Sequence, residues 1–206
     1  MYMRLVSASD VEAALMGQLE RWIDSYMSEV ERQRDMEVRT LPRPRSWVYS
    51  SAVEKFPEDQ LPAVILASPG ITDPPTADGQ GRYSARWRVL VAAEVVARGN
   101  RVALGLARLY ATALRATAIQ QQALEGLDVW RIDWMGERYD VLDSVDDRTV
   151  CVAQVELAVT VGDVTTRGAG PLEPEPPPTE QPSPTWPVAE TADIDIYLWP
   201  LEEPWP

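Results

Sequence analysis

Histidine is absent from the 206 residues, and cysteine occurs once, at Cys151. The first absence removes the usual general base, the commonest metal ligand and the side chain that titrates near neutrality. The second excludes an intramolecular disulfide and every multi-cysteine metal site, and it suits a reducing cytoplasm. Lysine also occurs once, at Lys55; the other eighteen basic residues are arginine. A GC-rich genome produces that bias, and the planar guanidinium fork favours arginine at interfaces as well. No apolar run approaches the roughly 20 residues that span a bilayer. Met1 to Asp10 lacks the basic-then-apolar order of a signal peptide.

Basic residues of any kind are few. There are 19 against 32 acidic ones, a net charge of -13. Such a chain repels phosphate backbones and anionic membrane surfaces, because affinity for both comes from clustered Lys and Arg. An acidic wall can still serve DNA by letting a polyanion slide past without adhering. Apolar residues make up 45% of the chain, enough for a packed core.

The pattern of that apolar content is α+β. Ser9-Asp10-Val11-Glu12 has the spacing of a capping box. Val11, Leu15, Leu19, Trp22, Ile23, Tyr26, Met27 and Val30 follow at steps of three and four, which predicts an amphipathic helix over about 10–34. Leu41-Pro42-Arg43-Pro44-Arg45 is a stiff extended connector. Trp47, Tyr49 and Ala52 suggest a short strand, and LPAVILAS over 61–68 a buried one. ITDPPTADGQGR over 71–82 is a loop by composition. Tyr83 to Ala97 alternates as a long strand, with Tyr83, Ala85, Trp87, Val89, Val91, Ala93 and Val95 on its core face. Gly99-Asn100 ends it and caps a small-residue helix over about 101–122. The buried stripe of that helix is read as Val102, Leu106, Leu109, Tyr110, Ala113, Leu114 and Ile119. Strands follow at 129–134 and 138–142, divided by a turn at Gly136, and then at 149–161 after a hairpin turn at 144–148.

Composition changes sharply near Arg167. Residues 168–206 hold eleven of the 18 prolines, eight acidic residues and no Lys or Arg. They carry -8 of the charge and leave a body of 24 acidic and 19 basic residues, near -5. The expected organisation is a globular domain over 1–167 and an extended, Pro-rich acidic arm over 168–206. Trp186, Trp199 and Trp205 are unusual in a linker, and the alternating Asp193-Ile194-Asp195-Ile196-Tyr197-Leu198-Trp199 suits strand addition to a sheet edge. The arm is therefore expected to pack on neighbouring subunits.

Catalytic sets do not emerge. Gly79-Gln80-Gly81 lacks the third glycine, preceding strand and lysine of a phosphate loop, and reads as a turn. Asp140, Asp143, Asp146 and Asp147 have the chemistry for a hard cation but not the spacing of a calcium loop, and Asp is an ordinary turn residue. Cys151 sits between Val150 and Val152 with no histidine to activate it, so a structural thiol is expected. Ser and Thr likewise lack a histidine partner. No catalytic, cofactor-binding or metal residues are assigned.

The order helix, strands, loop, long strand, Ala-rich helix, closing strands resembles the tail terminator proteins of long-tailed bacteriophages. The resemblance runs from about Leu61 to Val164. It is carried by LPAVILASPG, YSARWRVLVAAEVVARGN, RVALGLARLYATALRATAIQQQ and DRTVCVAQVELAVTVGDV. Minor structural proteins of actinobacterial phages share the arginine bias. The resemblance implies a mostly antiparallel sheet packed against two main helices. It also implies a non-enzymatic homohexameric ring, located in the virion neck after assembly in the host cytoplasm. That ring stops tail-tube growth, meets the tail tube protein and the head-tail connector or stopper, and lets DNA pass through its lumen without specific binding. No cofactor and no membrane are implied. The residues proposed for assembly contacts are Arg86, Arg88, Leu90, Trp186, Ile194, Ile196, Tyr197, Trp199 and Trp205. Another neck protein or a tail-tube subunit is the alternative within this class. A small enzyme or ligand-binding domain is the alternative outside it, with the four aspartates as its most plausible site.

Overall fold

Ser7 starts the first helix, α1 (Ala8–Gln33). In the computed structural model, which describes residues 5–49, 56–145 and 147–166, the Asp10 amide donates to the Ser7 hydroxyl. The Ser7 amide in turn donates to the Asp10 carboxylate at 2.7 Å. The capping box thus forms two residues before the Ser9–Glu12 pair expected from sequence. In this register Val6 packs on the core just outside the helix and Val11 is fully buried inside it. Glu12 is left to accept from the Ser68 amide at 2.5 Å. Val11, Leu15, Leu19, Ile23, Met27 and Val30 form the buried stripe, each contributing about 2 kcal/mol of burial. Trp22, expected on that stripe, is 36% exposed beneath the Arg21 guanidinium.

The connector after α1 is fixed by a buried acid. Glu31 has no exposed side-chain surface and accepts from the amides of Arg39 at 2.9 Å and Leu41 at 2.8 Å. The Arg43 guanidinium donates to both its oxygens, at 3.0 and 3.1 Å. These bonds, Arg43 foremost, hold the carboxyl down at about 2. The buried Tyr110 hydroxyl donates to the Pro42 carbonyl and ties the same connector to the second helix.

The strands are β1 (Ser46–Tyr49), β2 (Ala63–Ile71), β3 (Thr76–Ala77), β4 (Arg82–Arg98), β5 (Val129–Val145) and β6 (Arg148–Thr166). They form one sheet in the order β1-β2-β4-β6-β5, with β3 pairing to β4. Only β1 and β2 run parallel; the other pairs are antiparallel. The second helix, α2 (Asn100–Gln120), packs with α1 on one face of this sheet, and both helices share one core with Val64, Val89, Val91, Val95 and Val155. The α+β class expected from the pattern is the architecture found.

Four local expectations are corrected. The 71–82 loop contains β3, and its turn is closed by the Asp78 carboxylate, which accepts from the amides of Gln80 and Arg82 at 2.8 Å each. Gly136 is not a turn: β5 runs through it as a single 17-residue strand. The buried face of α2 holds Tyr110, Ala113 and Leu114 as expected, but its other members are Ala103, Ala107, Ala111, Thr117 and Ala118, while Val102 is 61% exposed. Small residues dominate that face, with Tyr110 and Leu114 as its large members. Lastly, α2 is long and apolar enough by composition to cross a membrane, which the search for apolar runs missed; here it is a core helix of the sheet.

Gly99 precedes α2 with φ 80°, a conformation that favours glycine, and no side chain caps the helix. Ala52 and the whole 168–206 arm lie outside the described residues.

Candidate assembly surface

β5 is the outer strand beyond β6, and its far edge has no strand neighbour among the described residues. A long exposed edge is a template for another chain, and folded proteins usually blunt it with lysine, proline or bulges. β5 has no lysine or proline, but it has bulges. Its register against β6 shifts at three places: between Val129 and Arg131, between Trp134 and Gly136, and between Val141 and Asp143. The extra residue at each shift is Trp130, Met135 and Leu142. All three are exposed, at 58%, 51% and 47%. Bulges re-aim side chains, and every bulge here aims a large apolar one outward.

Trp134 and Val141 add to the same strand, so β5 holds five of the eleven large exposed apolar side chains among the described residues. Their positions are built. The Trp130 indole donates to Asp128 at 3.0 Å and lies so close over Gly162 that a β-carbon there would overlap the ring. Trp134 stacks under the Arg115 guanidinium at 4.5 Å, and Arg115 also pairs with Glu137. Glu137 accepts the Tyr139 hydroxyl, and that bond together with burial raises Tyr139 to about 12. Desolvation is the larger cause.

The sheet face turned away from the helices carries the residues singled out from sequence. Arg86, Arg88 and Leu90 alternate along β4 and lie there together. Arg86 pairs with Asp133 at 3.1 Å and Asp73 at 3.5 Å. Arg88 pairs with Glu156 at 2.7 Å. Leu90 borders a concavity of 670 Å³ whose walls include Ile65, Ala67, Ala92, Leu142 and Val152. Glu94 lies in it, 7% exposed, and burial raises its pKa. Trp186, Ile194, Ile196, Tyr197, Trp199 and Trp205 lie outside the described residues.

Of the four aspartates, Asp143 and Asp147 border one concavity together with Arg148. The Asp143 carboxylate accepts from the Ser144 amide at 2.9 Å, and Asp147 pairs with Arg98 at 3.2 Å. Asp146 lies outside the described residues. No group of three or more His, Cys, Asp or Glu side chains is placed to hold a metal among the described residues. Cys151 is buried in the core, which raises its pKa.

Reading the sequence as two short strands hid the β5 edge. The signal was present in the clustering of Trp130, Trp134 and Met135, which breaks strict alternation as bulges do.

No protein-family model matches this chain, and no curated protein matches it. Among solved structures, one similar chain comes from the virion of a native gene transfer agent particle. It is 16% identical, with a TM-score of 0.40, and the match covers 65% of this chain and 92% of that one.

Proposed function

We propose that this chain is a non-enzymatic virion structural protein of a phage-like particle, and specifically a tail terminator. In this reading it caps the tail tube as a homohexameric ring and joins the tube to the head connector or stopper, and DNA passes through the lumen. The observation that carries the structural-subunit reading is the β5 edge with its three outward apolar bulge residues. A lone soluble enzyme gains nothing from such an edge, whereas a ring subunit needs one to meet its neighbour. The specific role is supported by the element order from Leu61 to Val164 and by the acid excess, which keeps a passing polyanion from adhering. In this reading the role of the arm over 168–206 is to lash adjacent subunits or the tube, adding buried area without enlarging the core.

The reading is tested by replacing two bulge residues together, Trp130→Thr and Met135→Thr. Threonine keeps the strand preference and removes the apolar surface. The variant should keep its thermal midpoint within a few degrees and lose self-association by at least about tenfold, read by analytical ultracentrifugation. Unchanged association would remove β5 from the interface and the main support for the reading.

A further inference from the structure

A concavity of 460 Å³ lies between α2 and β5. Ala116 and Ile119 of α2 and Ile132 and Trp134 of β5 give it an apolar lining, completed by Arg115, Gln120 and Asp133. Two of those three polar residues are already engaged. Arg115 stacks on Trp134 and pairs with Glu137, and Asp133 pairs with Arg86 and Arg131. Between the bulges at Trp130 and Met135, Arg131 to Trp134 pair residue by residue with Thr160 to Leu157 of β6. Ile132, in the core, and Trp134, under Arg115, face the helix side of the sheet. Arg131 and Asp133 alternate to the other face. The far edge of this regular stretch has no strand neighbour among the described residues. One more strand there would bond its backbone to β5 and set every second side chain over the concavity.

We propose that residues 193–199 of a second copy of this chain add to the β5 edge as that strand. Ile194, Ile196 and Leu198 then cover the concavity, and Asp193 and Asp195 lie on the opposite face. This deepens the self-assembly reading and rests on it. The segment offers apolar and acidic residues in strict alternation, and the edge asks for that order. Its helix side is the apolar concavity. Its other side presents Arg131, 63% exposed, and Arg138, which is exposed and has no ion pair among the described residues. An acidic row placed there meets the two basic residues of β5.

Length selects a second copy. β6 ends at Thr166, and residues 167–192 separate it from the segment, 26 in number with eight prolines. A spacer of that composition is semi-rigid and spans up to about 80 Å at about 3.1 Å per residue. The subunit's own β5 lies one strand spacing from β6, about 4.8 Å. Pairing with it would require a stiff spacer to double back, whereas a neighbour's β5 lies within its reach.

The test uses the full chain and measures self-association by mass photometry and sedimentation, with thermal melts of each variant. Ile194→Asp with Ile196→Asp should weaken association by at least about tenfold and leave the melting midpoint of the free subunit in place. Ile194→Val with Ile196→Val keeps the alternation and should associate like the parent. A cross-link then locates the contact. Chains carrying Gln120→Cys, mixed with chains carrying Leu198→Cys, should be joined by a short bis-maleimide into a covalent dimer; the native Cys151 is buried.

If the double Asp variant associates like the parent, the β5 edge takes another occupant, and the inference falls while self-assembly stands. Loss of association without the cross-link would put the segment on another surface of the neighbour and overturn the β5 assignment. A link that forms only when both cysteines share one chain would overturn the second-copy assignment. If the parent never associates, both this inference and the self-assembly reading fall.

Discussion

A buried carboxylate is tolerated where it meets enough donors, and Glu31 meets four. Two are backbone amides of the connector and two are guanidinium nitrogens of Arg43. Glu31→Ala leaves the two amides without an acceptor and takes from Arg43 its buried carboxylate, leaving it the Leu41 carbonyl and Ser28 hydroxyl, and is expected to cost about 3 kcal/mol in chemical denaturation. The same site fixes a pH dependence. Its folded value of about 2 lies below the ordinary 4.5, so the folded state favours the ionised form. That stabilisation is complete above about pH 4.5 and is lost as the pH falls toward 2. Urea titrations between pH 5 and 2 should show this decline in the parent chain and a flatter one in Glu31→Gln. Glu94 moves the other way, raised by burial.

Between one helix and one strand, the fit is set by small side chains. α2 meets the sheet through Ala103, Ala107, Ala111 and Ala118, all fully buried. Ala107→Leu should overpack this seam and lower stability by about 1–3 kcal/mol, whereas Val102→Leu, on the exposed side, should stay within about 0.5 kcal/mol; thermal melts of the two separate the faces. The sequence pattern places Tyr110, Ala113 and Leu114 on the stripe correctly but adds Val102 and omits the other alanines, because periodicity weights apolar size. Elsewhere the pattern is a good guide. The alternation of Tyr83 to Ala97 assigns the core face of β4 correctly for Ala85, Val89, Val91, Ala93 and Val95, since a residue period of two is a local property. β5 resists such reading. Each bulge flips the alternation, so three bulges turn one strand into apparent fragments, and Gly136 beside one of them imitates a turn. Arg86, Arg88 and Leu90 are legible as one face of β4. Their ion pairs to Asp73, Asp133 and Glu156 are not, because those partners come from distant parts of the chain.

Across the whole molecule, the helices close one face of the sheet and leave the other face and the β5 edge for contact. In the proposed ring, assembly would cover apolar bulge residues that water meets in the free chain. The charge fits the same picture. A body near -5 with an arm of -8 suits the proposed ring, because like charge would keep DNA moving rather than bound. The central claim is the ring itself. Two-dimensional class averaging of the protein on its parent particle, or of the purified full chain at high concentration, tests it directly. The account predicts a six-fold ring at the head-proximal end of the tail tube. A chain that stays monomeric and joins no ring or particle would contradict it.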